Sequence, residues 1–266
     1  MFGALPTIFT EKMLLKGNLL IAAFVCAIAC NAQTCLPDVN FWGDFSGKLG
    51  DREIALSVYR SKADILEGNY RYTDDEKKPI TVKGSLKDCT YFLEVMGDKK
   101  EAGKFMFRYS FDKTKREDHW DGSFTAADNK ESTVTLRLSS MVGGTLTQRY
   151  DELFGTTQEV DSFAAKIKTA ISNNDKNWLA EHCRYPLNFH AGSSKAIDIK
   201  NKTVFLANYN KYFTSAYRDK LKKANCYNMF SNHMGASMGN GAIWINHTLT
   251  STADEYEYCI SSINIF

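Results

Sequence analysis

Residues 235–239 read Gly235-Ala236-Ser237-Met238-Gly239, the G-x-S-x-G spacing that mounts a nucleophilic serine on a sharp strand-to-helix turn. That chemistry needs a helix after the serine, and then an acid followed by a histidine. Here strands are predicted on both sides of the motif, and His247 precedes Asp254. A hairpin whose turn requires positive φ accounts for these glycines better. Metal chemistry finds no support in the spacing. Beyond residue 32 there is no C-x-x-C, and His119, His182, His190, His233 and His247 include no i, i+4 pair. A P-loop and a dinucleotide fingerprint are also absent from the sequence, so no cofactor and no metal are expected. Asp175 is a tempting general acid, but its place immediately before a helix makes it an N-cap first. The run 195–223 carries Lys195, Lys200, Lys202, Lys211, Arg218, Lys220, Lys222 and Lys223 against Asp198 and Asp219. Such a run suits an acidic protein, an anionic glycan or a lipid headgroup; a solvated helix face is the simpler reading.

Around these residues the composition is ordinary. In 266 residues, 44% are hydrophobic and 24% charged, and 33 basic against 31 acidic side chains leave +2. That argues against disorder and against a multi-span membrane protein, and it gives no footprint for nucleic acid.

The address is clearer than the activity. Residues 19–30 form an uncharged apolar run, too short to span a bilayer and of the length of a secretory h-region, with Lys12 and Lys16 ahead of it. Residues 1–32 are expected to be a signal peptide, with Met13 the better start and cleavage after Ala32. The alternative is lipidation at Cys30, because Ala27-Ile28-Ala29-Cys30 resembles a lipobox. Either way the protein is expected to be periplasmic or secreted, or tethered to the envelope by lipid, with no transmembrane helix in the mature chain. Five cysteines then remain. Cys35–Cys89 and Cys226–Cys259 are the expected bridges, with Cys183 left over; the competing reading is five buried free thiols.

The elements that must position these residues change period part-way along the chain. Over 33–150, apolar residues alternate in short runs: 53–59, 65–72, 80–86, 91–95, 104–111, 122–126 and 133–139. Polar turn material separates them. This predicts an antiparallel β-meander that closes into a small barrel or sandwich. Tyr70, Tyr72, Phe105, Phe107 and Trp120 are expected in its core and lid, the alternative being the lining of a ligand mouth. Over 151–266 the spacing of Val160, Phe163, Ala164, Ile167, Ala170 and Ile171 predicts a helix over 161–172. Helices over 176–183 and 202–212 and a short one capped by Ser215 follow. Strands over 226–231, 241–248 and 256–265 come last, an α+β order.

The stretch from Asp175 to Leu187, with Trp178, Tyr185 and Pro186, resembles the helix-to-strand passage of NTF2-like (cystatin-like) cone-shaped domains. Met238-Gly239-Asn240-Gly241-Ala242-Ile243-Trp244 resembles a hairpin of uncharacterised exported members of that superfamily. The first half resembles small secreted β-meander modules. The likeness implies a cone with a pocket between helices and sheet, lined by Trp178, Tyr185, Tyr209, Tyr212, His233 and Trp244. It implies no particular activity, since fold does not carry function. The expected function is a non-catalytic binding protein, of inhibitor or immunity type, for a protein or cell-envelope ligand. The alternative is a small-ligand carrier or a proton-transfer enzyme using the cone.

Overall fold

The computed structural model describes residues 35–74, 78–98, 102–192, 196–250 and 255–265. The segment 1–32 expected to be a signal peptide, with Met13, Cys30 and Ala32, lies outside the described residues. Residues 35–266 form one compact unit, built from a barrel and a helix-covered sheet.

Eight antiparallel strands follow one another around the barrel: β1 (Phe41–Leu49), β2 (Arg52–Arg60), β3 (Ile65–Tyr72), β4 (Ile80–Lys87), β5 (Thr90–Val95), β6 (Gly103–Asp112), β7 (Glu117–Ala126) and β8 (Glu131–Gly143). Seven match the alternating runs of the sequence. The eighth, β1, contains Gly43 and Gly47 and has a weak strand signal, yet it closes the ring by pairing with β8 from Phe41↔Gly143 to Leu49↔Val134. Alternation works as period two dictates: Tyr91, Leu93 and Val95 point inward, while Phe92 and Glu94 face out. The interior is solid rather than hollow. Tyr91 stacks on Phe107 with centroids 4.6 Å apart, and Phe45 meets Trp120 edge-on at 5.1 Å. Of the five expected core aromatics, Tyr70, Phe105, Phe107 and Trp120 are buried, and Tyr72 is partly covered beneath the Arg52 guanidinium, 3.5 Å from its ring.

Closing so small a ring forces backbones together at a few inward positions, and glycine occupies them. A Cβ on Gly84 would lie 1.7 Å from the Phe92 carbonyl oxygen, and one on Gly122 would lie 2.0 Å from that of Met106. Neither neighbour is a flexible side-chain tip. Gly84→Ala is therefore expected to cost about 3 kcal/mol in urea unfolding, at the upper end of overpacking effects. The same change at solvent-facing Gly192, where a Cβ meets nothing, involves only the positive φ of its turn and serves as the control.

The β4–β5 hairpin turns on Asp88 and Cys89, both at positive φ, and Cys89 forms a disulfide with Cys35 as expected. Arg60 reinforces the strap by donating to the carbonyls of Cys35 (2.5 Å) and Pro37 (3.0 Å). The second expected bridge is corrected. Cys183, Cys226 and Cys259 are buried, and the expected Cys226–Cys259 bridge is not formed. Cys226 lies before the edge strand of its sheet, not on it. Two strands separate that edge strand from the one carrying Cys259, so about 14 Å of sheet intervenes. A disulfide requires Cα atoms within about 7 Å.

The second body is a six-stranded mixed sheet covered on one face by helices. Its helices are α1 (Thr157–Ser172), α2 (Lys176–Glu181), α3 (Lys202–Tyr212) and α4 (Ser215–Lys222). Its strands are β9 (Cys183–Ala191), β10 (Ile197–Ile199), β11 (Phe230–Asn232), β12 (Gly235–Met238), β13 (Ile243–Leu249) and β14 (Tyr256–Ile265), in the order β10-β9-β14-β13-β12-β11. Only β14 and β9 run parallel. The predicted helix over 161–172 begins four residues earlier, because Thr156 and Glu159 form a reciprocal capping box. Asp175 does cap α2, accepting from the Trp178 N–H at 3.0 Å. Thr214, not Ser215, caps α4. Strand β9 is the larger surprise: the chain leaves α2 and runs through Pro186 as a long strand where only a short extended passage was expected.

Candidate functional site

Between β8 and α1 the chain does not trail loosely. Tyr150 and Leu153 are buried in the core of the second body. Arg149 is also completely buried, and its guanidinium reaches back to the barrel. Its Nη2 is 2.5 Å from Asp44 Oδ2 on β1, and its Nη1 donates to Ser57 Oγ on β2 at 2.9 Å. Ser57 and Ser140 in turn donate to the Asp44 carboxylate, at 2.7 and 2.6 Å. The same Nη2 faces the carbonyls of Met229 and Asn228, in the loop entering β11, at 3.4 and 3.5 Å. One cation thus joins three barrel strands to the second sheet. Burying a charge is tolerable only with this many partners.

Next to this joint lies a cleft of about 1050 Å³. Trp42, Asn69 and Thr81 of the barrel form one wall, and the exposed side of α1, with Asp161, Ala165 and Thr169, forms the other. Asn228 and Asn69 close its floor, Asn228 Nδ2 donating to Asn69 Oδ1 at 2.6 Å. Trp42 is held in place by its indole N–H, which donates to the Thr145 carbonyl at 3.0 Å. Positions of this kind are fixed before any ligand arrives.

Asp161 is the chemically distinctive group in the cleft. Its Oδ1 accepts from the Tyr150 hydroxyl at 2.5 Å, and that hydroxyl itself accepts from the Met229 N–H at 3.1 Å. Loss of hydration pushes the Asp161 carboxyl up to about 7, against the opposing pull of the Tyr150 hydrogen bond and the Arg149 charge. Burial, reinforced by the Asp161 charge, pushes the Tyr150 phenol well above its ordinary value. Asp161 can therefore take or release a proton near neutral pH while Tyr150 stays protonated. Perturbed carboxyls in clefts mark candidate functional positions. No family model, curated protein or solved structure matches this chain.

The six pocket residues suggested by resemblance do not share a cavity. Trp178 borders the cleft and lies flat against His182, whose ring is 3.8 Å away. Tyr185 donates its hydroxyl to the Ala180 carbonyl at 2.9 Å. Tyr209 and Tyr212 are buried in the core between helices and sheet, Tyr209 stacked on Phe213 and Tyr212 against Phe189. His233 and Trp244 border a different cavity, on the sheet face turned away from the helices. Aromatic side chains fill the space where the cone's pocket was expected. Among the described residues no group of three potential metal ligands converges. Ser237 sits in mid-strand on β12, and the positive φ of Gly239, Asn240 and Gly241 makes the turn into β13, so the G-x-S-x-G spacing belongs to a hairpin. The basic run is partly paired: Lys202 with Glu181 at 2.7 Å, and Lys222 with Asp219 at 3.2 Å.

Sequence reasoning passed over Arg149, Tyr150 and Asp161. The first two follow the last strand in a stretch with no periodic pattern. Asp161 carried the ordinary look of a polar residue near a helix start. The usable signal was Thr156-x-x-Glu159, which moves the helix start back and puts Asp161 inside the first turns of α1, half-buried at the cleft.

Proposed function

We propose that the chain is an exported, non-catalytic binding protein, of inhibitor or immunity type, that seats a protein or cell-envelope ligand in the cleft between barrel and α1. The carrying observation is the fixed geometry of that cleft. Its walls come from two separately packed bodies, locked by Arg149, and they offer aromatic and amide groups already held in place. Preorganisation of this kind lowers the cost of binding. Export is supported by the apolar run over 19–30 and by the Cys35–Cys89 disulfide, which suits an oxidising compartment. Among the described residues no helix is long and apolar enough to cross a membrane. A lipid anchor at Cys30 is the alternative address. The helix-covered sheet is read as an NTF2-like cone whose pocket has been filled by aromatic packing.

The near-neutral carboxyl of Asp161 favours one second reading, a small-ligand carrier or proton-transfer enzyme working in the same cleft. A single experiment separates them. Mature protein and an Ala165→Trp variant, which fills the cleft from an exposed helix position, are used to capture partners from envelope extract. A partner retained by the parent and lost by the variant is the expected result. Equal retention by both moves the binding surface away from the cleft. No macromolecular partner, with a small molecule co-purifying only with the parent, replaces the binding-module reading with the carrier.

A further inference from the structure

The second cavity, about 630 Å³, opens on the face of the mixed sheet that the helices leave uncovered. Ile243, Ile245, Ile260 and Ile263 point into the helix-packed core. Trp244 therefore faces the other way, and register places Asn188, Ser262 and Trp244 in one row across β9, β14 and β13. Every ionisable side chain bordering this cavity is basic: Arg184, His190 and His233. Among the described residues none of the three has an ion-pair or side-chain hydrogen-bond partner. Asp198 pairs with Asn188 from the edge strand but does not border the cavity. The Arg184 charge is felt locally: burial and then Arg184 lower the His247 pKa, and burial raises the Cys259 thiol to about 11 against the opposing pull of Arg184.

The floor is rigid. Asn246 spends its amide on the Met234 carbonyl and its oxygen on the His247 N–H, at 3.1 and 2.8 Å. Asn264 donates to the Gly241 carbonyl and accepts from Ser262. What remains available is a partly exposed indole face ringed by one guanidinium, two imidazoles and the Asn188 amide. An indole face suits the C–H surface of a sugar ring, and a guanidinium suits a carboxylate in two-point contact.

We propose that this sheet face is a binding site for an acidic saccharide, with a sugar ring on Trp244 and its carboxylate held by Arg184, flanked by His190 and His233. The site is separate from the cleft, and it stands whether or not the cleft reading does.

The test is calorimetric titration of the full mature protein with tri-galacturonic acid, its neutral methyl ester, and inorganic phosphate. The acidic trisaccharide is expected to bind at least tenfold tighter than the ester. Arg184→Gln and Trp244→Ala are each expected to weaken it at least tenfold, with circular dichroism unchanged, while Lys222→Gln leaves it as before. Ala165→Trp, which blocks the cleft, should have no effect. Equal binding of acid and ester removes the role of Arg184. Phosphate binding as tightly as the trisaccharide removes the saccharide. No binding of the acid at millimolar concentration, or binding insensitive to Arg184→Gln, overturns the proposal.

Discussion

Replacing Arg149 with methionine is expected to lower the unfolding free energy by roughly 3–5 kcal/mol, the range for breaking a buried ion pair from one side. Methionine fills much of the same volume, so the loss reports the charge and its hydrogen bonds rather than a void. Three sets of partners lose their donor: Asp44, Ser57, and the carbonyls of Asn228 and Met229. Asp44 keeps the Ser57 and Ser140 hydroxyls and has 15% side-chain exposure, which limits its share of the penalty. Urea unfolding of Arg149→Met, Asp44→Asn and the double variant gives the coupling directly. The double variant is expected to recover part of the loss, since no carboxylate is then left without its cation. Because Arg149 is the joint between barrel and sheet, hydrogen exchange should rise first around Asn228 and Met229. Purely additive single-variant costs, with exchange unchanged there, would show that the joint does not depend on this cation.

Asp161→Asn is expected to stabilise the protein at pH 8 by up to about 4 kcal/mol and to change little at pH 4. The sign follows from linkage. In the fold this carboxyl is pushed up to about 7, chiefly by desolvation, from an ordinary value of 3.8. The folded state therefore holds the proton that the unfolded chain releases. Stability from this group is full below about pH 4 and falls as pH rises through 7, at about 1.4 kcal/mol per pH unit in between. Asparagine keeps an acceptor for the Tyr150 hydroxyl but carries no charge to desolvate. Parent and variant stabilities measured by urea unfolding should diverge between pH 4 and 7 and run parallel from there to pH 8. Curves parallel from pH 4 upward would mean that Asp161 is already ionised in the fold at low pH. Ligand capture at the two pH values then tells whether the cleft reads the protonation state of Asp161.

These two residues show where sequence reading stops. Chain order and period were enough for the barrel, because Tyr91, Leu93 and Val95 alternate with polar positions, and a strand half-exposed to water must alternate. They were enough for α3 and for the Asp175 cap, since both are set by residues within one helical turn. Glycine-rich β1 and the proline-containing β9 escaped, because each is a strand by virtue of its neighbours: β8 across the closure and β14 in parallel. The Cys226–Cys259 pairing failed for the same reason, since a shared sheet says nothing about how many strands lie between.

By itself the sequence determined the local terms: strand period, helix faces and the Asp175 cap. Each depends on residues a few positions apart. Only the tertiary structure decided that the helix-covered sheet has a filled interior. It alone brought Arg149 to Asp44 across 105 residues of chain, and Tyr150 to a carboxyl that burial then shifted. Desolvation and ion pairing depend on which surfaces are buried together. No spacing in the chain encodes that until the two bodies have packed.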